Sequence, residues 1–139
     1  MPKMRLREAL SRGLTEALDG DERVVLLGED IGKYQGSYAV TKGFFEKYGE
    51  DRIKDTPISE AGIVGCGIGS AMAGLRPIVE IMTINFTLLA MDQIVNIRKL
   101  SKQHHFTLML KDLSHVGEYA KLNNSGFRLL KKILPGAYT

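Results

Sequence analysis

The sequence is short of cysteine and of long apolar runs, and each shortage excludes a class of protein. The 139 residues include one cysteine, so no disulfide can form within the chain. We therefore expect a reducing compartment, with the cytoplasm as the default. No apolar run approaches the roughly 18 residues that a membrane span needs, and the first residues lack the apolar core of a signal peptide. Neither membrane insertion nor secretion is expected.

The chain also has little excess charge. Nineteen Lys and Arg against 16 Asp and Glu leave a net charge of +3, too little to indicate a nucleic-acid partner. Residues 1–96 hold 11 basic and 14 acidic residues, whereas residues 97–139 hold eight basic and two acidic. The charge composition of the chain therefore changes near residue 96. Three histidines lie in the later segment without the spacing of a metal site, so no metal ligand is predicted: His104, His105 and His115.

The hydrophobic pattern alternates between helix and strand. Apolar residues at 6–18 recur every three or four positions, which predicts a helix that Gly20 ends. The run at 24–27 is typical of a strand buried on both faces of a parallel sheet. This alternation predicts an α/β fold with a doubly wound parallel sheet. The other predicted elements are a loop at 28–41, short helices at 42–48 and near 127–134, strands at 52–55, 78–82 and 106–110, a glycine-rich helix at 60–74 and a helix through 86–97.

The glycine-rich segment contains a fragment, residues 65–70, that looks like part of a dinucleotide-binding fingerprint. That fingerprint must directly follow an apolar strand, and the residues at 55–61 do not form one. Nicotinamide binding is therefore not expected. The glycines are better explained by close helix packing, and Cys66 by a small, buried apolar side chain.

Glu60 opens this segment after a Pro-Ile-Ser break, with almost no basic residue nearby. Two interpretations stay open from the residues alone. Glu60 is either an ordinary first-turn carboxylate that the helix dipole favours, or a buried acid that exchanges a proton with a heteroaromatic nitrogen.

Six blocks of the sequence carry a family resemblance: residues 26–32, 36–43, 55–60, 71–80, 85–86 and 91–96. They resemble the beta subunits of pyruvate dehydrogenase and related thiamine-diphosphate-dependent 2-oxo-acid dehydrogenases. The resemblance implies a transketolase-like pyrimidine-binding domain that works only with an alpha subunit, in an alpha2beta2 assembly on a lipoyl-bearing acyltransferase core. The alpha subunit would hold the cofactor's diphosphate and its magnesium.

The resemblance also implies roles for three residues. Glu60 matches the catalytic glutamate that hydrogen-bonds the ring nitrogen of the cofactor's aminopyrimidine, which activates thiamine diphosphate for attack on the 2-oxo acid. Phe86 matches the aromatic residue that packs on the aminopyrimidine face. The alternative interpretation is an aromatic residue of the hydrophobic core. Glu29 matches an acidic position near the cofactor and the passage between paired active sites; otherwise it is an exposed loop carboxylate.

The resemblance stops near residue 96. We expect an incomplete pyrimidine-binding domain at 1–96 and a divergent basic tail at 97–139. As a hypothesis, the tail is out of frame in a shifted or fragmentary gene. The missing strands would leave apolar surface uncovered, so activity of this chain alone is not expected.

Pyruvate is the expected substrate, and branched-chain 2-oxo acids and acetoin are close alternatives because the pocket that separates them lies mostly elsewhere. Two other hypotheses remain. The chain could bind the alpha subunit without completing a site, or it could be an unrelated α/β binding module.

Overall fold

The computed structural model describes residues 5–97 and 107–110. The three histidines and the helix predicted near 127–134 lie outside these residues. Among the residues described, no helix has both the length and the apolar content to cross a bilayer. The elements in chain order are α1 (Leu6–Gly20), β1 (Val24–Gly28), α2 (Phe44–Tyr48), β2 (Ile53–Asp55), α3 (Glu60–Met72), β3 (Arg76–Ile81), a 3-10 helix (Ile84–Ala90), a π-helical turn (Gln93–Ile97) and β4 (Thr107–Leu110).

The strands form one parallel sheet in the order β2-β1-β3-β4. β1 lies at its centre, with Leu26 beside both Ile53 of β2 and Ile78 of β3. All five residues of β1 are buried, as expected for a strand covered on both faces. The predicted parallel α/β sheet is confirmed.

Two separate hydrophobic clusters cover the two faces, because successive side chains of β1 point in opposite directions. One face packs against α3 and the other against α1 and α2, so the sheet is doubly wound. Val25 and Leu27 of β1 lie in the first cluster with Ile63, Val64, Ile68, Ala71, Val79, Ile81 and Ala90. Val24 and Leu26 lie in the second with Leu14, Leu18, Ile31, Val40, Phe44 and Ile53.

Arg52 ties the amino end of β2 to the neighbouring elements. Its guanidinium donates hydrogen bonds to the backbone oxygens of Leu18 (3.0 Å), Asp21 (2.9 Å) and Val24. The planar fork of the arginine can serve three such acceptors at once. One side chain therefore joins the end of α1, the following turn and the start of β1 to β2.

The segment at 86–97 is helical, but the prediction of one regular helix is wrong. A 3-10 helix ends at Ala90 and a π-helical turn begins at Gln93. Leu88 and Leu89 are 70% and 64% exposed, whereas Ala90 is fully buried. Because the apolar side chains do not share one buried face, no single α-helical stripe organises the segment.

The glycine-rich helix is present as α3, but the burial expected for Cys66 is wrong, because Cys66 is exposed. Ile63, Val64 and Ile68 face the sheet, and at 100° per residue Cys66 lies on the opposite side of the helix. The glycines are divided in the same way: Gly67 is buried, whereas Gly62 and Gly69 are exposed.

Candidate functional site

The carboxyl ends of β1 and β3 form the edge where a ligand site is expected. From β1 the chain runs to β2 on one side, and from β3 it runs to β4 on the other. The connections therefore diverge between β1 and β3, and in open parallel sheets ligands bind in the crevice outside such a switch point. Glu29 follows β1 directly, and Glu80 is the penultimate residue of β3.

Glu60 begins α3 and is 7% exposed. It lies on the same side of the helix as the apolar residues that face the sheet, which is why the carboxyl group is withdrawn from water. An ordinary first-turn carboxylate would gain from the helix dipole while remaining solvated. Glu60 is therefore not a solvated surface carboxylate, and its part in proton exchange stays a prediction.

Glu29 lies close enough to other carboxyl groups for its titration to respond to them. Burial raises the pKa of Glu29 above its ordinary value of 4.5, and the negative charges of Glu60, Glu80 and Asp30 raise it further. Glu29 is half-buried, so its side chain is not fully exposed, and its role near the cofactor stays a prediction. The structure thus brings together Glu29 and Glu60, which are 31 positions apart in the sequence.

Glu80 also lies near enough to Glu29 for its charge to act on that carboxyl group, although the sequence pattern did not single it out. It is 4% exposed and lies beside the end of β1. A Cβ atom at Gly28 would lie 2.7 Å from Glu80 Oε2, so the glycine leaves room for this carboxyl group. The sequence feature that could have identified Glu80 is a charged residue within an apolar run that is typical of a strand buried on both faces.

Phe86 lies on the 3-10 helix, which packs against α3. It is 37% exposed, so it is not a fully buried core aromatic. Its ring retains surface on which a planar heterocycle could stack. The described residues thus place an aromatic side chain on an element adjacent to the helix that Glu60 begins.

Asp55 and Gly32 form a hydrogen bond at this edge, and neither residue was identified as part of a site from the sequence. The Gly32 N–H donates a hydrogen bond of 2.6 Å to Asp55 Oδ1. This bond joins the loop after β1 to the end of β2. Within the described residues, no group of three or more His, Cys, Asp or Glu side chains is arranged to hold a metal ion.

Comparison with known proteins agrees with this geometry. Residues 2–128 match the model of the family described as the transketolase pyrimidine-binding domain. The chain belongs to this family. The predicted fold class is confirmed.

Among individual proteins, the chain is similar to mitochondrial beta subunits of the pyruvate dehydrogenase E1 component. It is 50% identical to the Dictyostelium discoideum protein over 102 residues, 73% of this chain and 28% of that protein. It is 52% identical to the Rattus norvegicus protein over 94 residues, 68% and 26% of the two chains. For the Homo sapiens protein the identity is 53% over 91 residues, 66% and 25%. The chain spans about a quarter of the length of these relatives, and the resemblance seen in the sequence is confirmed.

The predicted division at residue 96 stays a prediction. The family match continues beyond that position to residue 128, and the predicted strand at 106–110 is present as β4, parallel to β3. The out-of-frame origin of residues 97–139 likewise stays a hypothesis.

Proposed function

We propose that this chain supplies the pyrimidine-binding half of the active site of a thiamine-diphosphate-dependent 2-oxo-acid dehydrogenase, with pyruvate as the substrate. The observation that carries the proposal is the buried carboxyl group of Glu60 at the start of α3, beside the crevice between β1 and β3. The family match and the named relatives support it. Of these, only the relatives point to pyruvate.

The residues at this edge fit the aminopyrimidine of the cofactor. A carboxyl group shielded from water can share a proton with a ring nitrogen, and a partly exposed phenylalanine offers an apolar face to the ring. Glu60 would hold the ring through that shared proton, and Phe86 would pack against its face. When bound, thiamine diphosphate would supply a thiazolium carbon that, once deprotonated, adds to the carbonyl carbon of the 2-oxo acid, and a cationic ring that accepts the electron pair left when carbon dioxide departs.

Glu29 would keep a proton available near Glu60. Its raised pKa means that it exchanges a proton closer to neutral pH than an ordinary glutamate does. The neighbouring charges of Glu60 and Glu80 contribute to this raised pKa of Glu29, after burial. We therefore assign Glu29 to proton exchange near the cofactor, and Glu60 to direct contact with it.

The proposal includes an alpha subunit that holds the diphosphate and Mg²⁺, together with a lipoyl-bearing acyltransferase core. Support for a protein partner comes from the 3-10 helix region, where Ile84, Leu88, Leu89 and Met91 are 42–70% exposed. Several large apolar side chains exposed on one short segment are typical of a protein interface. It equally supports the alternative in which the chain binds the alpha subunit without completing a site. The cytoplasmic location predicted from the sequence stays a prediction, since the relatives are mitochondrial proteins.

The test is co-expression of the full chain with the matching alpha subunit, followed by thiamine diphosphate titration and measurement of carbon dioxide release from pyruvate with an artificial electron acceptor. We expect co-purification and cofactor-dependent release. Glu60→Gln should lower the release at least about 100-fold without affecting co-purification. Glu22→Gln is the matched control, because Glu22 is an exposed glutamate before the amino end of β1.

The following outcomes separate the alternatives. Co-purification without cofactor-dependent decarboxylation would favour the non-catalytic interaction fragment. Failure to co-purify, together with no effect of thiamine diphosphate when the alpha subunit is present, would favour an unrelated binding module. Near-parental turnover in Glu60→Gln would remove Glu60 from the mechanism. Faster release from branched-chain 2-oxo acids, or turnover of acetoin, would replace pyruvate as the substrate.

A further inference from the structure

The loop that carries Glu29 has a defined conformation. Asp30 has a positive φ of 55°, and Ile31 is fully buried in the cluster beneath the sheet. The Gly36 N–H donates a hydrogen bond of 2.8 Å to the backbone oxygen of Asp30. The chain therefore turns immediately after Glu29 and is anchored two residues further on, so the position of Glu29 depends on the fold of this loop.

Two hydrogen bonds connect this loop to the end of β2, one on each side of Glu29. Before it, the Gly28 backbone oxygen accepts a hydrogen bond of 3.0 Å from the Thr56 N–H. After it, the Gly32 N–H donates its hydrogen bond of 2.6 Å to Asp55 Oδ1. The first bond joins two backbone atoms, whereas the second depends on the side chain of Asp55.

The absence of a side chain at Gly32 leaves room for this contact. A Cβ atom on Gly32 would lie 2.6 Å from Asp55 Oδ2 and 3.0 Å from its Cγ. Such distances are too short for non-bonded atoms, so a side chain at position 32 would displace the carboxylate. The Asp55 carboxylate thus depends on a glycine opposite it, as the Glu80 carboxyl group depends on Gly28.

We propose that Asp55 is a positioning residue that holds Glu29 beside Glu60 through the Gly32 N–H. Asp55 ends β2, and the chain reaches Glu60 five residues later. Asp55 therefore anchors the loop that carries Glu29 and also begins the segment that leads to Glu60. The inference deepens the proposed function, on which its consequence for catalysis rests, but the geometric link itself does not depend on any cofactor.

The first test is the titration of the Glu29 carboxyl carbon by NMR in the full chain. Asp55→Ala removes the acceptor, so Glu29 should move toward solvent and its pKa should fall toward 4.5, the ordinary value. Asp55→Asn removes the negative charge but keeps an oxygen that can accept the bond, so the raised pKa should persist. The pair of variants separates the position of Glu29 from the charge of Asp55. Asp51→Ala is the control, since Asp51 is fully exposed beside Lys54.

An unchanged Glu29 titration in Asp55→Ala would overturn the proposal, as would an equal fall in the Asn and Ala variants, which would make charge the cause. Gly32→Ala should also lower the pKa of Glu29, because the added methyl group would displace the Asp55 carboxylate. If these variants do not fold, hydrogen exchange in the parent chain decides. The Gly32 amide should exchange much more slowly than an amide without a hydrogen-bond acceptor, and unprotected exchange there would refute the link.

The second test uses the complex with the alpha subunit. We expect Asp55→Ala to lower kcat by roughly 10-fold to 100-fold with a smaller change in KM for pyruvate, and Asp55→Asn to restore most of the rate. Equal loss of kcat in both variants would argue against positioning. If the parent complex shows no cofactor-dependent activity, the proposed function fails, while the titration and exchange results still decide whether Asp55 holds Glu29 in place.

Discussion

Gly28 and Glu80 occupy adjacent positions on neighbouring strands, and the carboxyl group of Glu80 uses the space that a side chain at position 28 would fill. Glu80 Oε2 would lie 2.7 Å from a Cβ atom at Gly28, and Glu80 Cβ would lie 3.0 Å from it. A buried acidic side chain is thus accommodated at the end of β3 because β1 ends in glycine. The relationship places Glu80 next to the backbone of Glu29.

Gly28→Ala should destabilise the chain. The new methyl group would meet Glu80 on one side and Ile31 Cγ2 at 3.1 Å on the other. Both neighbours are buried, so we expect a loss of about 1–3 kcal/mol in the free energy of unfolding. Urea denaturation followed by circular dichroism measures it. Gly20→Ala is the control because nothing lies within 4 Å of a Cβ there; a loss in Gly20→Ala as large as that in Gly28→Ala would contradict the steric explanation.

Glu29→Gln should stabilise the chain in a pH-dependent way. The pKa of Glu29 is raised in the folded chain, so the folded state favours the protonated form. That contribution to stability is complete below the ordinary value of 4.5 and is lost as the pH rises through the raised value. Glutamine imitates the protonated form, so the variant should be more stable than the parent at neutral pH.

The difference between Glu29→Gln and the parent should shrink toward zero as the pH falls below the ordinary pKa of a glutamate. Urea denaturation at a series of pH values measures it. Glu22→Gln controls for the loss of one negative charge. A stabilisation by Glu29→Gln that persists unchanged in acid would show that ionisation of Glu29 is not its cause.

Arg52→Ala should cost on the order of 2–4 kcal/mol in the free energy of unfolding, because three backbone oxygens lose a charged donor. Arg52→Lys should recover only part of this, since a single ammonium group cannot match the planar fork. Thermal and urea denaturation provide the measurement. Arg12→Ala removes only an exposed ion pair with Glu16 and should change stability by less than about 1 kcal/mol. Similar losses in Arg12→Ala and Arg52→Ala would rule out the special role of Arg52.

Cys66 should react readily with a thiol reagent in the native chain, because its side chain is exposed on α3. The stoichiometry and rate of labelling under native conditions, compared with those in denaturant, provide the measurement. We expect complete labelling of the native chain at a rate comparable to that in denaturant. Labelling that requires unfolding would restore the burial that the sequence suggested.

Local patterns allowed most elements to be predicted. The period of apolar residues at 6–18 predicted α1, and the continuous run at 24–27 predicted a strand covered on both faces, because both signals depend on neighbours in the sequence. The position of Glu60 at the start of a glycine-rich segment is also visible without the fold, but the choice between its two interpretations came from the family resemblance and not from the local pattern. The 3-10 geometry near Phe86 was missed, because helix type depends on which side chains the core accepts.

The sequence by itself determined the order of helices and strands, the parallel doubly wound sheet and the glutamate at the start of α3, since each follows from residue type and short-range spacing. The tertiary structure decided that Glu29 lies near enough to Glu60 and to Glu80 to feel their charges, that Asp55 reaches Gly32, and that Cys66 is exposed. Those contacts join residues about 20 to 50 positions apart, and the exposure of Cys66 depends on which face of α3 meets the sheet. Strand register, loop conformation and helix orientation, rather than local propensity, bring such groups together.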